Sequence, residues 1–280
     1  MAATEGRYPA AVWRLVMERT PRAGAENMAL DEAIMDAVAV GSAPPTVRVY
    51  QWDPPCLSLG KRQPLGGVAV EQCAADSVDV VRRATGGLAI LHTDELTYSV
   101  ATRPDDPRAT GAILDAYRRL SEGLVAGLRL LGVEARMAPV VPGGPQSASA
   151  ACFEQPSAYE LEVGGRKLMG SAQVRPQGRV LQHGSLPLSG DIARIVDYLR
   201  FETGEEREAL RAHLRARATT LGAALGRSVT FAEAAEALAA GFSQALCLEL
   251  EPGEPTAAER EAARRLSEEK RAVLQGELVV

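Results

Sequence analysis

Short segments with a β-type pattern occupy the first two thirds of the chain, and they constrain its fold more than any other feature. Apolar and polar residues alternate over 47–52, which indicates a strand. Gly164-Gly165 is a hairpin-turn signal between two later segments. Hairpin-linked strands with helices outside them indicate an α+β fold rather than a regularly alternating parallel sheet. The other strands are predicted at 56–59, 78–81, 88–91, 96–102, 159–163, 166–174 and 179–188.

Helical patterns flank these strands and fill the chain after residue 190. Apolar residues at three- and four-residue steps over 113–131 indicate an amphipathic helix, which Gly132 ends. We therefore expect an α+β core over 1–190 and a helical C-terminal extension over 191–280, packed on the same domain. Further helices are predicted at 27–40 with Asn27 as N-cap, at 192–199, at 205–221, and after the capping-box pairs Thr230/Glu233 and Thr256/Glu259.

The composition is that of an ordinary globular protein. Its 280 residues are 46% hydrophobic and 24% charged. The formal net charge of −5 disfavours nucleic-acid binding, which depends on neutralising phosphates. Because no apolar segment approaches the roughly 20 residues that span a bilayer, and no secretion signal is visible, we expect a cytoplasmic protein with no nucleic-acid or membrane partner.

Cysteine and histidine spacing gives no sign of a metal site. The four cysteines lie far apart, no pair has C-x-x-C spacing, and no two of the three histidines are close in sequence. A structural zinc site is therefore not expected. In a reducing compartment the thiols should be unpaired.

Residues 82–99, which read RRATGGLAILHTDELTYS, hold a first candidate ligand-binding segment. Gly86 and Gly87 permit close approach of the backbone to a ligand. Arg83 beside them suits a carboxylate, phosphate or carbonyl oxygen. On these residues alone, a hairpin with a solvated arginine pair and a hydrogen-bonded structural His92 is the simpler interpretation.

Residues 151–185 hold a second candidate segment, ACFEQPSAYELEVGGRKLMGSAQVRPQGRVLQHGS. A thiol becomes nucleophilic where a nearby cation favours its thiolate, and Lys167 is a candidate cation for Cys152. Small residues at 170–172 often mark the close approach of a ligand or another backbone. A buried Cys152 with a solvated Lys167 is the alternative, and it is the commoner case for a lone cysteine.

Together the two segments resemble the catalytic domain shared by lipoate–protein ligases, biotin ligases and octanoyltransferases. RRATGGLAILH is similar to that family's ligand loop, and GRKLMGSAQ is similar to the stretch that holds its central lysine. NMALDE and VYQWDPPCLSLGKRQ also match, so the resemblance runs from about residue 10 to residue 280. Leu88 stands where many ligases carry a third glycine, which argues against adenylate binding by this loop.

The segment ACFEQPSAYE resembles one branch in particular, the cysteine-dependent octanoyltransferases, which move an octanoyl group from acyl carrier protein to a lysine of a lipoyl domain. The resemblance implies a mixed, mostly antiparallel sheet with flanking helices and a helical C-terminal extension. It also implies that Cys152 attacks the octanoyl thioester and that Lys167 stabilises the thiolate or the oxyanion. The substrate-binding residues that it implies are Arg83, Gly86, Gly87, His92, Gly170, Ser171, Ala172, His183 and Gly184.

The same resemblance implies the cofactors and partners. No ATP or metal is expected, because the donor is octanoyl-phosphopantetheine on acyl carrier protein and one thioester is exchanged for another. The acceptor is a lipoyl-domain protein such as the glycine cleavage H protein. His92 is a candidate for orienting a group or shuttling a proton. A basic patch for the acidic carrier protein, or equally a solvated face, is formed by Lys61, Arg62, Arg82 and Arg83.

Other functions remain open on the sequence. An ATP-dependent lipoate–protein ligase would use the same pocket and Lys167 but would ignore Cys152. A lipoyl-domain amidotransferase would keep the thiol and take its acyl group from another lipoyl domain. A biotin ligase would have no role for Cys152 or the GSAQ stretch. More remote are a non-catalytic protein that binds acyl carrier or lipoyl domains, and a papain-like hydrolase.

Overall fold

The computed structural model describes residues 7–138 and 160–279, with side chains described as far as residue 271. These residues form two sheets, and most strand pairs are antiparallel, as predicted. The strands are β1 (Ala11–Met17), β2 (Thr46–Tyr50), β3 (Cys56–Leu59), β4 (Asp79–Arg82), β5 (Ile90–His92), β6 (Glu95–Thr102), β7 (Arg136–Met137), β8 (Leu161–Val163), β9 (Arg166–Val174), β10 (Val180–Pro187) and β11 (Leu248–Pro252).

The large sheet has eight strands in the order β11-β1-β2-β6-β10-β9-β8-β7. Its first two pairs, β11–β1 and β1–β2, are parallel, and the other pairs are antiparallel. The small sheet has the order β4-β3-β5, with β3 parallel to β4 and antiparallel to β5. The architecture is therefore a mixed α+β fold.

Helices pack on both faces of the large sheet. They are α1 (Gly24–Ala39), α2 (Val70–Ala75), α3 (Ile113–Leu130), α4 (Gly204–Arg217), α5 (Leu221–Leu225), α6 (Phe231–Leu246) and α7 (Ala257–Val279), with short 3-10 helices at Leu65–Gly67, Pro176–Gly178 and Ile192–Tyr198. Within the described residues, none of these helices has the length and apolar character needed to cross a membrane.

Strand β6 shows how the sheet divides the core. Successive side chains of a strand point to opposite faces. Leu96, Tyr98 and Val100 pack in the largest apolar cluster, with α3 and α6. The polar residues at the alternate positions 95, 97 and 99 are also buried, on the opposite face, where α1 and the small sheet lie. The cavity between the two sheets therefore has buried polar side chains in and around its wall.

Local signals predicted several elements well. Thr230 and Thr256 cap their helices, because each hydroxyl accepts a hydrogen bond from the backbone N–H three residues on. Gly164 and Gly165, both at positive φ, join β8 to β9 as the hairpin predicted. β9 has the predicted bounds.

Other predictions were wrong or only partly right. Asn27 is not a helix cap: α1 begins after Ala23, and the buried Asn27 amide donates to the carbonyls of Arg22 and Gln51 at 3.2 and 2.9 Å. The predicted helix at 205–221 is two helices, α4 and α5, and the one at 192–199 is a 3-10 helix. Strands β1, β7 and β11 were missed, and β11 lies in the region that was predicted to be wholly helical.

Candidate active site

A cavity of about 260 Å³ lies between the two sheets, and it brings together the two candidate segments of the sequence. All nine residues predicted to bind substrate line it. Gly86 and Gly87 are exposed at its rim, whereas Met28, Tyr50 and Trp52 are buried in its wall. Whether these residues contact a substrate stays a prediction, but the structure gives them one common space to do so.

Arg83 shapes the glycine loop from within the protein. Its guanidinium donates to the backbone oxygens of Ser58, Gly86 and Leu88 at 2.8–2.9 Å. With only 4% of its surface exposed, Arg83 does not belong to a surface patch, which corrects that part of the basic-patch hypothesis. Lys61 and Arg62 are exposed near the loop, since the Lys61 backbone N–H donates to the Thr85 carbonyl.

The neighbouring strands β9 and β10 approach each other where the sequence has small residues. A Cβ atom on Gly184 would lie 2.5 Å from the Gly170 carbonyl oxygen and 2.7 Å from Tyr98 Cε1. Both distances are below any ordinary contact, so the strand pair needs glycine here. Ser171 is held across the sheet by the Tyr98 hydroxyl, which donates to its Oγ at 2.8 Å.

A β-bulge lies beside Lys167, which is not among the residues that line the cavity but pairs with Glu160, which is. Leu161 pairs with Met169 and Glu162 pairs with Lys167, so Leu168 is an extra residue in β9. Bulges of this kind re-aim side chains beside active sites. Lys167 Nζ lies 3.3 Å from the position that a Gly170 Cβ would occupy, and it forms a buried ion pair with Glu160.

His92 is held by a group of buried polar side chains. Its Nε2 lies 2.7 Å from Ser58 Oγ, and its Nδ1 lies 2.7 Å from Glu95 Oε1. The ring stacks on Trp52 with a centroid distance of 4.0 Å. Glu95 also accepts hydrogen bonds from the hydroxyls of Thr97 and Ser185. Although burial by itself raises the pKa of Glu95, His92 and these hydroxyls outweigh it and lower the pKa overall.

His183 is held by a separate group of polar side chains. Its Nε2 lies 2.7 Å from Thr85 Oγ1 in the glycine loop, and its Nδ1 lies 3.3 Å from Asp31 Oδ2 on α1. Asp31 is paired in turn with the fully buried Arg48, whose Nη1 lies 2.7 Å from Asp31 Oδ1. The wall of the cavity therefore contains two histidines, each between a hydroxyl and a carboxylate.

The structure describes three of the four cysteines. Cys152 lies outside the described residues. Burial raises the pKa of the Cys56 thiol well above its usual range and that of Cys73 to about 11. Cys247 is half-buried in the turn between α6 and β11. Across residues 7–138 and 160–279, His, Cys, Asp and Glu side chains form no group of three or more suited to a metal ion.

The sequence analysis did not predict four buried polar residues that lie around this cavity. They are Asp31, Arg48, Ser58 and Glu95, and all four are fully or almost fully buried. A signal existed for Glu95, since a charge at the start of an otherwise buried strand is costly to bury unless it is paired. Asp31 carried no comparable signal, because its partners come from strands distant in sequence.

Comparison with known proteins places the chain in a family. A model of the lipoyl protein ligase A/B catalytic domain matches residues 23–243. The chain belongs to this family. The resemblance inferred from the two candidate segments is thereby confirmed, and so is the fold that it implied.

Known proteins resemble this chain over most of its length. A relative named octanoyltransferase LipM, from Symbiobacterium thermophilum, is 45% identical over 267 residues, which cover 92% of this chain and 95% of the relative. Another protein of the same name, from Kyrpidia tusciae, is 46% identical over 259 residues, covering 91% and 94%.

Solved structures of lipoate protein ligases are similar in fold. A bipartite lipoate protein ligase from Thermoplasma acidophilum, described with its E2 lipoyl domain, has a TM-score of 0.77 and 25% identity, covering 93% of this chain and 94% of that one. A lipoate-protein ligase A bound with ATP has a TM-score of 0.74 and 26% identity, covering 94% and 96%.

Proposed function

We propose that the chain is an octanoyltransferase of lipoate biosynthesis, which moves an octanoyl group from acyl carrier protein to a lysine of a lipoyl domain through a thioester on Cys152. The observation that carries the activity is the 45% identity, over 92% of the chain, to a relative named octanoyltransferase LipM. The donor, the acceptor, the cytoplasmic location and the role of Cys152 go beyond that name and are part of the proposal.

The cavity supports acyl transfer in its shape and charge. Its buried wall includes Met28, Tyr50 and Trp52, which suit an apolar acyl chain, while the exposed Gly86 and Gly87 leave the rim open. Lys167 lies behind the cavity wall, paired with Glu160, and we assign its positive charge to stabilising the thiolate or the oxyanion.

The reaction requires two exchanges at one carbonyl carbon. The Cys152 thiolate attacks the octanoyl thioester, and the phosphopantetheine thiol leaves. The amine of the acceptor lysine then attacks the acyl-enzyme, forming the amide and releasing the Cys152 thiolate. Because the first exchange replaces one thioester by another and the second forms a stable amide, the sequence of steps needs no ATP.

Cys152 is supported by the properties of the other thiols as well as by its sequence context. Raised pKa values make Cys56 and Cys73 poor nucleophiles at neutral pH. The ATP-dependent ligase and the lipoyl-domain amidotransferase remain the alternatives. They differ from the proposal in needing ATP and in taking the acyl group from a lipoyl domain, respectively.

Intact-protein mass spectrometry tests the proposal. The chain is mixed with octanoyl-acyl carrier protein in the absence of ATP, beside the variants Cys152→Ala and Cys247→Ala. We expect the wild-type chain and Cys247→Ala, whose thiol is not among the cavity residues, to gain one octanoyl group, and Cys152→Ala to gain none. Addition of a lipoyl domain should then remove the group from the enzyme and transfer it to the domain.

Other outcomes contradict the proposal in distinct ways. Acyl transfer that appears only with ATP and a free fatty or lipoic acid indicates a ligase. Acylation from an octanoylated lipoyl domain but not from acyl carrier protein indicates an amidotransferase. No transfer under any of these conditions indicates a binding protein.

A further inference from the structure

We propose that Ser58, His92 and Glu95 form a proton relay in the wall of the acyl cavity, with Ser58 contacting the reacting groups and Glu95 positioning the imidazole. The inference rests on the proposed octanoyl transfer and adds to it the path of the proton. Ser58 lies on β3, His92 on β5 and Glu95 on β6, so the relay connects the small sheet to the large one.

The hydrogen bonds fix the direction of this relay. An ionised carboxylate only accepts hydrogen bonds, and the three donors around Glu95 come from His92, Thr97 and Ser185. His92 Nδ1 therefore donates to Glu95. In the neutral ring Nε2 is then the acceptor, and the Ser58 hydroxyl, 2.7 Å away, donates to it.

Ser58 is placed to pass a proton between the cavity and His92. It is fully buried but is among the residues that line the cavity, and a hydroxyl has one donor and two acceptor positions. Arg83 Nη1 donates to Ser58 Oγ at 3.2 Å, which takes one acceptor position. A protonated group in the cavity can use the other, and the Ser58 proton then moves to His92 Nε2.

The ring is held rigidly in this position. Trp52 stacks on it with an angle of 12° between the rings, and Trp52 Nε1 donates to Thr97 Oγ1 at 2.7 Å. Thr97 in turn donates to Glu95 at 2.5 Å. A carboxylate that orients an imidazole and stabilises its protonated form is the arrangement that makes serine and cysteine triads effective.

Three other ionisable groups lie beside the relay. Arg83 reaches it from the loop after β4, Cys56 lies opposite His92 in the β3–β5 pairing, and Tyr50 approaches from β2. Burial raises the pKa of both Cys56 and Tyr50 well above their usual ranges. Both are therefore neutral at neutral pH, so Glu95 and Arg83 are the fixed charges beside the ring.

Protons balance over the two exchanges. In the first, the Cys152–octanoyl bond forms, the pantetheine carbon–sulfur bond breaks, and protonated His92 delivers a proton through Ser58 to the departing thiolate. In the second, the acceptor amine forms the amide bond and the Cys152–acyl bond breaks. The proton lost by the attacking nitrogen returns through Ser58 to His92, which regenerates the imidazolium and the Cys152 thiolate.

Single-turnover kinetics test the relay. The octanoyl-enzyme is formed first, and its transfer to a lipoyl domain is followed by mass spectrometry between pH 6 and pH 9. General acid–base catalysis contributes roughly 10²–10⁴-fold. We expect His92→Gln and Ser58→Ala to slow transfer by about a hundredfold or more at saturating acceptor. The acceptor concentration at half-maximal rate should change little. We expect Glu95→Gln to slow transfer and to alter the pH profile of the transfer rate.

Matched controls use exposed residues that carry the same ionisable groups, an imidazole and a carboxyl. His213→Gln on α4 and Asp94→Asn, next to Glu95 in sequence, should transfer at the wild-type rate and with the wild-type pH profile. The variant His92→Ala distinguishes a chemical role of the imidazole from a merely structural one. Imidazole added to the solution should restore its transfer rate in proportion to the imidazole concentration.

The results separate this inference from the proposed function. If the wild-type chain forms no octanoyl-enzyme, the proposed function fails. If it does, but His92→Gln, Ser58→Ala and Glu95→Gln transfer at the wild-type rate, the relay alone is overturned. Slow transfer with an unchanged pH profile and no rescue by imidazole also overturns the relay, because this result would mean that the three residues act through packing.

Discussion

Asp31 carries a negative charge at the centre of a buried polar group beside the cavity. Its carboxylate accepts hydrogen bonds from Arg48 and Ser99 at 2.7 Å and from the Tyr50 hydroxyl at 2.8 Å. Burial by itself raises the pKa of Asp31. Arg48, His183 and Ser99 outweigh burial, and the pKa falls from 3.8 to about 2. The native fold therefore depends on the ionised form of this residue.

This dependence predicts a loss of stability in acid. A carboxyl whose pKa is lower in the folded protein than in the unfolded chain adds stability above the unfolded pKa, and this stability is lost as the pH falls through the folded one. For Asp31 the window lies between about pH 4 and pH 2, and the contribution is about 2 kcal/mol. Denaturant midpoints measured from pH 7 to pH 2 should decline through that window.

Two variants isolate this contribution. Asp31→Asn should be less stable at pH 7, because it leaves the buried Arg48 without this partner, and its decline in acid should be shallower. Asp105→Asn removes an exposed carboxylate and should keep the wild-type profile. An unchanged acid profile in Asp31→Asn would contradict the assignment.

At the scale of single residues, the sequence identified groups with distinctive chemistry near each other in the chain. Arg83, the glycine pair and His92 stand in one segment, and their convergence at the cavity was predictable. Ser58 was not predictable, because a polar residue at an alternate strand position is usual on a solvent-facing sheet surface. Glu95 had only the signal of a charge at the start of an apolar strand, and its partners His92 and Ser185 could be identified only once the two sheets were seen to face each other.

At the scale of elements, helices α3 and α6 cross closely because glycines meet at the crossing. A Cβ atom on Gly127 would lie 2.8 Å from both the Ala237 carbonyl oxygen and Leu238 Cα. On the facing helix, a Cβ on Gly241 would collide with backbone atoms of Gly123 and Gly127. Backbone atoms cannot move aside as a flexible side chain can, so the helices must separate to admit any larger residue.

Gly241→Ala is therefore expected to destabilise the protein even though alanine favours helix formation. Overpacking of a core costs typically about 1–3 kcal/mol, which exceeds the gain of about 1 kcal/mol from replacing glycine in a helix. Equilibrium unfolding in urea measures the difference. The matched control is Gly204→Ala at the start of α4, where a Cβ meets nothing within 4 Å. Equal stability of the two variants would show that the crossing tolerates a methyl group.

Elements specified by local signals were predicted better than those specified by distant pairing. The capping boxes at Thr230 and Thr256 and the Gly164-Gly165 turn act within a few residues. β11 is a short, partly exposed edge strand, LELEP, and it becomes a strand by pairing with β1 more than two hundred positions earlier. Such a pairing leaves little trace in a local pattern.

At the scale of the whole molecule, the C-terminal segment contacts the core at many places, since α6 packs against α3 and α7 packs against α1. β11 extends the large sheet by pairing with β1. Arg14 on β1 forms a buried bidentate pair with Glu259 on α7, with nitrogen–oxygen distances of 2.8 and 2.6 Å. Farther along α7, Lys270 Nζ lies 2.5 Å from Glu32 Oε1 on α1. We propose from these contacts that residues 191–280 unfold together with residues 1–190.

Arg14→Met tests this cooperativity, because it leaves the buried Glu259 carboxylate without its arginine. Removing one partner of a buried ion pair costs about 3–5 kcal/mol. The control Arg103→Met removes an exposed pair with Asp105, worth about 0–1 kcal/mol. Unfolding in guanidinium chloride is followed by the fluorescence of Trp13 and Trp52, both in the core, and by far-UV circular dichroism, which includes the helices of the extension.

Cooperative unfolding predicts that the two signals change together in the wild-type chain and in Arg14→Met, with a lower midpoint in the variant. The pair joins β1 to α7, so a weakened contact between them should destabilise both parts equally if neither is stable alone. A dichroism transition that separates from the fluorescence transition in Arg14→Met would mean that the extension folds as its own unit. The buried pair would then join two units rather than stabilise one.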